Sequence, residues 1–258
     1  MEALRNSAIK YAVRGLYHLV SSIDPNSDLR VLNYGFYDGS DIPYDPEDIP
    51  NLLRLALYHH VASAVDLSNK DVLEVGSGRG GGASYIARHL QPRSVHGADL
   101  SGKAVRFCQD TYRVLGLSFS QGDAEALDLE DESFDVVINI ESSHNYPNIR
   151  RFIAEVYRVL KPEGYFLFAD MRSVRKIPEL RELLPRSGFR VISEEDITQN
   201  VLSALDRDNS SKIAFITDNI PQLLRGPFSV FAGAKGTRFY NQLQTDQMKY
   251  VNFVLQKE

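Results

Sequence analysis

The chain has 258 residues, 43% apolar and 24% charged, which is soluble globular composition and excludes a disordered or collagen-like chain. Lys and Arg number 29 against 34 Asp and Glu, for a net charge of −5 and a pI near 5.7, so nucleic acid is not an expected partner. The one cysteine, Cys108, makes no intrachain disulfide or structural zinc centre, and no run approaches the ~18 apolar residues of a membrane span.

The expectation is therefore a cytoplasmic protein of small-molecule chemistry, with no metal and no integral membrane segment. Leu4, Ala8, Ala12, Leu16, Leu19 and Ile23 recur every three or four residues with Arg5, Lys10 and Arg14 between them, which predicts an amphipathic helix. It reads as a lid packed on the domain. Peripheral membrane contact is the alternative, although three basic residues attract a bilayer only weakly. Residues 24–50 are rich in Pro, Asp, Gly and Tyr, as an ordered loop is. Asp45-Pro46-Glu47-Asp48 then opens a helix carrying Leu52, Leu53, Ala56, Leu57, Val61 and Val65. Residues 1–65 form an N-terminal helical arm and lid on this reading.

From residue 66 to the end the pattern is that of a single α/β domain. Apolar runs at 72–75, 95–98, 134–140 and 165–169 alternate with helical stretches at 83–91, 102–115 and 148–160. Strands apolar at nearly every position belong to a parallel sheet covered on both faces, so the fold class is a Rossmann-like doubly wound α/β sheet. Residues 187–192 read as another strand. A mostly helical lid insertion follows over 194–247, broken at Asp208-Asn209 and Gly226-Pro227, before a closing β-run over 249–255. Long ordered excursions of this kind often cover active sites.

The strongest motif is Asp71-Val72-Leu73-Glu74-Val75-Gly76-Ser77-Gly78-Arg79-Gly80-Gly81-Gly82, a buried strand running through glycines into a helix. The glycines allow a tight turn and close approach of a ligand to the backbone, and the helix N-terminus offers free N–H groups. This fits a dinucleotide loop as well, so its companions decide. Glu74 can receive an amino acid's ammonium, which NAD lacks. Asp99 ends the next strand, where it can accept hydrogen bonds from both ribose hydroxyls. Gly122-Asp123-Ala124 can read an adenine edge. A ligand joining amino acid, ribose and adenine is S-adenosylmethionine.

With these motifs in order, residues 65–192 resemble the class I S-adenosylmethionine-dependent methyltransferases. The resemblance continues in Phe134-Asp135-Val136-Val137-Ile138-Asn139 and Val159-Leu160-Lys161-Pro162-Glu163-Gly164-Tyr165. Within the class, Glu141-Ser142-Ser143-His144-Asn145-Tyr146-Pro147 and the Arg79–Ser84 stretch are most similar to the lipid and natural-product O-methyltransferases. The nearest type is the mycobacterial phthiotriol/phenolphthiotriol dimycocerosate enzymes, in Asn33-Tyr34-Gly35, Leu57-Tyr58-His59 and Lys235-Gly236-Thr237. The family implies seven strands with the last antiparallel, and S-adenosylhomocysteine as product. The cofactor-binding set is then expected to be Tyr34, Glu74, Gly76, Ser77, Gly78, Gly80, Asp99, Leu100, Asp123, Ala124, Asn139 and Glu141.

Methyl transfer is an in-line displacement that needs positioning and, for an alcohol, a base. His144 lies just past the fourth strand and Asp170 ends the fifth, so a carboxylate beside an imidazole could fix its tautomer. His144 is therefore the candidate base, with Asp170 as partner; the alternative is that His144 only shapes the pocket. The word after the fourth strand, Asn139-Ile140-Glu141-Ser142, is not the Asn/Asp-Pro-Pro-Tyr/Phe of DNA-base aminomethylation. The expected acceptor is a small hydrophobic lipid or polyketide-like metabolite, methylated on a hydroxyl or carboxyl oxygen. Methylation on carbon or nitrogen, or a protein of this fold that binds S-adenosylmethionine without methylating, are the alternatives.

Overall fold

Successive residues of the central strands send their side chains to opposite faces, and both faces are apolar. The computed structural model describes residues 30–258; the amphipathic helix expected over the first 24 residues lies outside them. Seven strands form one sheet: β1 (Asp71–Val75), β2 (Ser94–Asp99), β3 (Leu117–Gln121), β4 (Phe134–Ile140), β5 (Leu160–Ser173), β6 (Phe189–Asp196) and β7 (Met248–Lys257). Their order is β3-β2-β1-β4-β5-β7-β6. The first five run parallel, and β7 lies antiparallel between β5 and β6.

On one face Val136, Ile138, Ile140, Leu167 and Ala169 pack against α1 (Leu52–Ala62), α2 (Gly81–His89) and α3 (Gly102–Thr111). On the other, Val137, Phe166, Phe168 and Phe253 meet α4 (Ile149–Val159) and α5 (Ile177–Arg186). The alternation along β4 and β5 assigns each residue to one core or the other. α4 buries Phe152, Ile153, Val156 and Val159, spaced along one helical stripe, and starts where the Asn148 side chain accepts the Arg151 N–H at 3.2 Å.

The insertion between the last two strands is helical, as expected, but its boundaries differ. β6 runs on to Asp196, so the lid begins at residue 198 rather than 194. α6 (Thr198–Asn219) passes unbroken through Asp208-Asn209, because both side chains are used at long range. Asp208 pairs with Arg54 at 2.7 Å, and Asn209 accepts the Lys235 N–H at 2.9 Å. The chain turns instead at Ile220-Pro221. Gly226-Pro227 lies in the first turn of α7 (Arg225–Phe231), where proline's missing N–H costs nothing. α8 (Arg238–Gln244) then leads into β7. Among the described residues no helix is long and apolar enough to cross a membrane.

Candidate active site

The carboxyl ends of β1, β2 and β4, together with the loop after β3, surround a cavity of about 960 Å³, counting its open mouth. This is where an open α/β sheet binds its ligands. After β1 the chain turns sharply at Gly76, whose φ is +79°. A Cβ there would stand 2.1 Å from Ser142 Oγ, so only glycine lets the β1 and β4 loops close together. A Cβ at Gly78 meets no described residue within 4 Å, so this loop presents bare backbone to the cavity.

Asp99 is half-buried at the end of β2. Its Oδ2 accepts the Gly78 N–H and its Oδ1 the Ser101 N–H, each at 2.8 Å. Burial raises its carboxyl above the usual range, opposed by those two N–H groups. Each oxygen keeps a lone pair, as recognition of two ribose hydroxyls requires. Gly76, Ser77, Gly78, Asp99, Leu100, Asp123, Ala124 and Glu141 all line the cavity.

The other expected cofactor residues stand elsewhere. Glu74 is 1% exposed and lies behind the cavity wall. Its Oε1 accepts the Tyr58 hydroxyl at 2.6 Å, while among the described residues Oε2 has no hydrogen-bond partner. Burial lifts its carboxyl to about 7, opposed by the Tyr58 hydroxyl and reinforced by Asp99. Asn139 is fully buried and ties β4 to β1, donating to the Val75 carbonyl at 2.8 Å. Gly80 packs under Cys108 and Phe119. Tyr34 does not line the cavity. Its ring stacks on Phe239 at 4.5 Å and its hydroxyl donates to the Phe231 carbonyl, which joins the arm to the lid.

Asp170 and His144 are together. Asp170, 0% exposed, accepts His144 Nδ1 at 2.8 Å, the His144 N–H at 2.9 Å and Ser143 Oγ at 2.7 Å, with Arg172 2.9 Å away. Burial alone would raise its carboxyl, but Arg172 and His144 outweigh it and hold the group well below the usual range. His144 Nε2 is 2.8 Å from Asn145 Nδ2, and it is Asn145, not His144, that lines the cavity. Tyr58, Asn145, Tyr146 and the arm residues Val31 and Leu32 are lining residues that the sequence did not single out as site residues. Tyr58 was within reach as the central residue of Leu57-Tyr58-His59. Val31 and Leu32 carry no sequence signal beyond being apolar.

Away from the cavity, Asp45, Asp48 and His89 bring three possible metal-ligand atoms together. The Arg88 guanidinium is bonded to both carboxylates, 2.6 Å from Asp48 Oδ1, and already supplies a cation there.

The residues fit S-adenosylmethionine: among the described residues Glu74 Oε2 and Ser77 Oγ are buried without hydrogen-bond partners, and each Asp99 oxygen keeps a lone pair at the cavity. The family described as "Methyltransferase domain" matches residues 73–168. The chain is 37% identical over 254 residues to a phthiotriol/phenolphthiotriol dimycocerosates methyltransferase of Mycobacterium tuberculosis, covering 98% of this chain and 94% of that protein. It is 37% identical over 228 residues to a fatty-acid O-methyltransferase of Mycolicibacterium smegmatis, covering 87% and 82%. Its fold superposes with a TM-score of 0.69 at 14% identity on geranyl diphosphate C-methyltransferase from Streptomyces coelicolor, solved with S-adenosyl-L-homocysteine, over 97% of this chain and 98% of that one. The chain belongs to the class I S-adenosylmethionine-dependent methyltransferases, in the family of the phthiotriol/phenolphthiotriol dimycocerosates enzymes.

Proposed function

We propose that the enzyme methylates an oxygen, hydroxyl or carboxyl, of a lipid or polyketide-like acceptor in the cytoplasm. The observation that carries this reading is the run of the cavity along the sheet edge. From Asp123 beyond β3 to Ile140 at the end of β4 is three strand spacings, ~14 Å at ~4.8 Å each. The polar recognition groups Asp99 and Asp123 occupy the β2–β3 side, and on the β4 side Leu32, Ile140, Tyr146 and Pro147 line the cavity beside Glu141, Ser142 and Asn145. Leu32 is backed by Ile216, Ile220 and Phe228 of the lid. The names of the two relatives, a dimycocerosates methyltransferase and a fatty-acid O-methyltransferase, point to the same acceptor class.

S-adenosylmethionine, when bound, supplies an electrophilic methyl on a leaving group that needs no acid. The chain's own residues orient and desolvate. Asp99 and the glycine-loop backbone hold the adenosine side, with Glu74 behind the loop. In this proposal Asp170 fixes the His144 imidazole and the Ser143–Asn145 turn, so His144 reaches an acceptor only through Asn145. Incubation with methyl-labelled S-adenosylmethionine and a panel of long-chain alcohols, fatty acids and phenols tests the reading. Extractable product heavier by one CH2, with label on oxygen, is expected. Tight S-adenosylmethionine binding with no product from any acceptor would assign the protein a non-methylating role.

A further inference from the structure

We propose that Glu141 takes the proton from a hydroxyl acceptor, and that the same side chain, protonated, donates a hydrogen bond to a carboxylate acceptor. This rests on the O-methyltransferase reading and gives one site two modes. Glu141 is the first residue past β4, and its backbone is held by donation to the Ala169 carbonyl at 2.8 Å. Its φ is +49°, a left-handed conformation that is uncommon for a non-glycine residue and concentrates at functional sites. Glu141 is one of the residues lining the cavity.

There the carboxylate is half secured and half free. Oε2 accepts the Tyr34 N–H at 2.9 Å and the Tyr250 hydroxyl at 3.0 Å, from the arm and from β7. No hydrogen bond to Oε1 is present among the described residues. The other carboxylates on the cavity, Asp99 and Asp123, sit at the β2–β3 side. His144 is off the cavity, with Nδ1 on Asp170 and Nε2 on Asn145. Glu141 is thus the proton-accepting group on the side where an acceptor would lie.

The groups around it set its readiness. Burial first, opposed by the Tyr34 N–H, then Asp170, opposed by the Tyr250 hydroxyl and the lid's Lys212, together leave its carboxyl raised to about 8. Lys212 is itself buried, 7% exposed, with Asp208 3.9 Å away and Arg54 bonded to that same aspartate. In the alcohol reaction the O–CH3 bond forms as the S–CH3 bond breaks, and the sulfur keeps the electron pair as a neutral thioether. The hydroxyl proton passes to Glu141 Oε1, leaving its bonding pair on oxygen. A fatty acid is already ionised at neutral pH and surrenders no proton.

The two modes have opposite pH slopes. Transfer to an alcohol rises as Glu141 ionises through about pH 8, and transfer to a carboxylate falls over the same range. The test is single-turnover transfer to hexadecanol and to hexadecanoic acid across pH 6–10. Glu141→Gln is expected to lose ~10²–10⁴-fold on the alcohol and under ~10-fold on the acid. Burial lowers the Lys212 ammonium to about 8, so it carries charge through the lower part of the rise, and Lys212→Met moves the inflection to higher pH by removing that cation. His144→Asn keeps the rise with pH. Carboxyl carbon resonances of ¹³C-labelled glutamate give a readout without turnover: one titrating near pH 8, absent in Glu141→Gln and shifted upward in Lys212→Met. Near-wild-type alcohol transfer by Glu141→Gln, or no such resonance, overturns the proposal. Absence of transfer to every acceptor counts against the functional reading, and the resonance titration still decides this one.

Discussion

Glu74→Gln should make the cofactor-free protein more stable at alkaline pH while weakening its grip on S-adenosylmethionine. Burial lifts the Glu74 carboxyl from its ordinary 4.5 to about 7, although the Tyr58 hydroxyl favours the ionised form. The native carboxyl therefore keeps its proton to higher pH than the unfolded one does. Stability falls as pH climbs from about 4.5 towards about 7 and then levels, and at ~1.4 kcal/mol per pH unit the loss is ~3 kcal/mol. Glutamine carries no charge and still offers an oxygen to Tyr58, so the variant escapes that loss. Thermal unfolding should give matched midpoints at pH 4.5 and a variant higher by ~6–12 °C at pH 8. Calorimetric titration should show S-adenosylmethionine bound more weakly by ~1–3 kcal/mol, the worth of a charge-assisted hydrogen bond. A midpoint difference that is the same at both pH values, or a variant less stable at pH 8, would refute the reasoning.

Asp99→Ala should weaken S-adenosylmethionine binding by ~1–3 kcal/mol in titration calorimetry, since it removes the acceptor at the end of β2. Asp170→Ala leaves Arg172 and the Ser143–His144 turn without their buried partner, and urea unfolding at pH 7 should show a loss of ~3–5 kcal/mol. Because the Asp170 carboxyl is held low, its contribution is present above the ordinary aspartate range and lost as pH falls below it, so the gap should narrow in acid. Gly82→Ala puts a Cβ 2.0 Å from the Tyr58 ring and should cost ~1–3 kcal/mol, most of it recovered in the Gly82→Ala/Tyr58→Ala double variant.

Local chemistry made the sheet legible. β1, β2 and β4 announce themselves as short apolar runs, and the glycines after β1 as a ligand turn, because those properties are fixed within a few residues. What eluded the sequence depends on distant partners. Asp208-Asn209 has turn chemistry, yet Arg54 and the Lys235 N–H recruit both side chains and the helix continues. Tyr34 stands in the expected cofactor-binding set, and its stacking partner Phe239, 205 residues away, is not visible from its neighbours in the chain. Glu74 was expected to meet an ammonium directly, and only the packing of α1 shows that Tyr58 stands at its carboxylate. The His144–Asp170 pair was legible from strand ends alone. The interposed Asn145 was not, because which neighbour turns inward is decided by the 3₁₀ turn at Ser143–Asn145.

The placing of β7 has a consequence for synthesis of the chain. Among the described residues β6 pairs only with β7, and β7 is the later of the two by the whole length of the lid. On the ribosome, β6 emerges with no neighbour to bond to, and seven of its eight residues are exposed even in the finished sheet. The nascent lid must be extruded before β7 can slide between β5 and β6, where Lys257 finally anchors to the Leu160 carbonyl at 2.7 Å. The strands β1 to β4 can assemble early, whereas the other side of the sheet is completed only when β7 arrives. Pauses in translation over residues 197–247 would therefore prolong a state with an unpaired edge at β6, the form most open to chaperones and to aggregation.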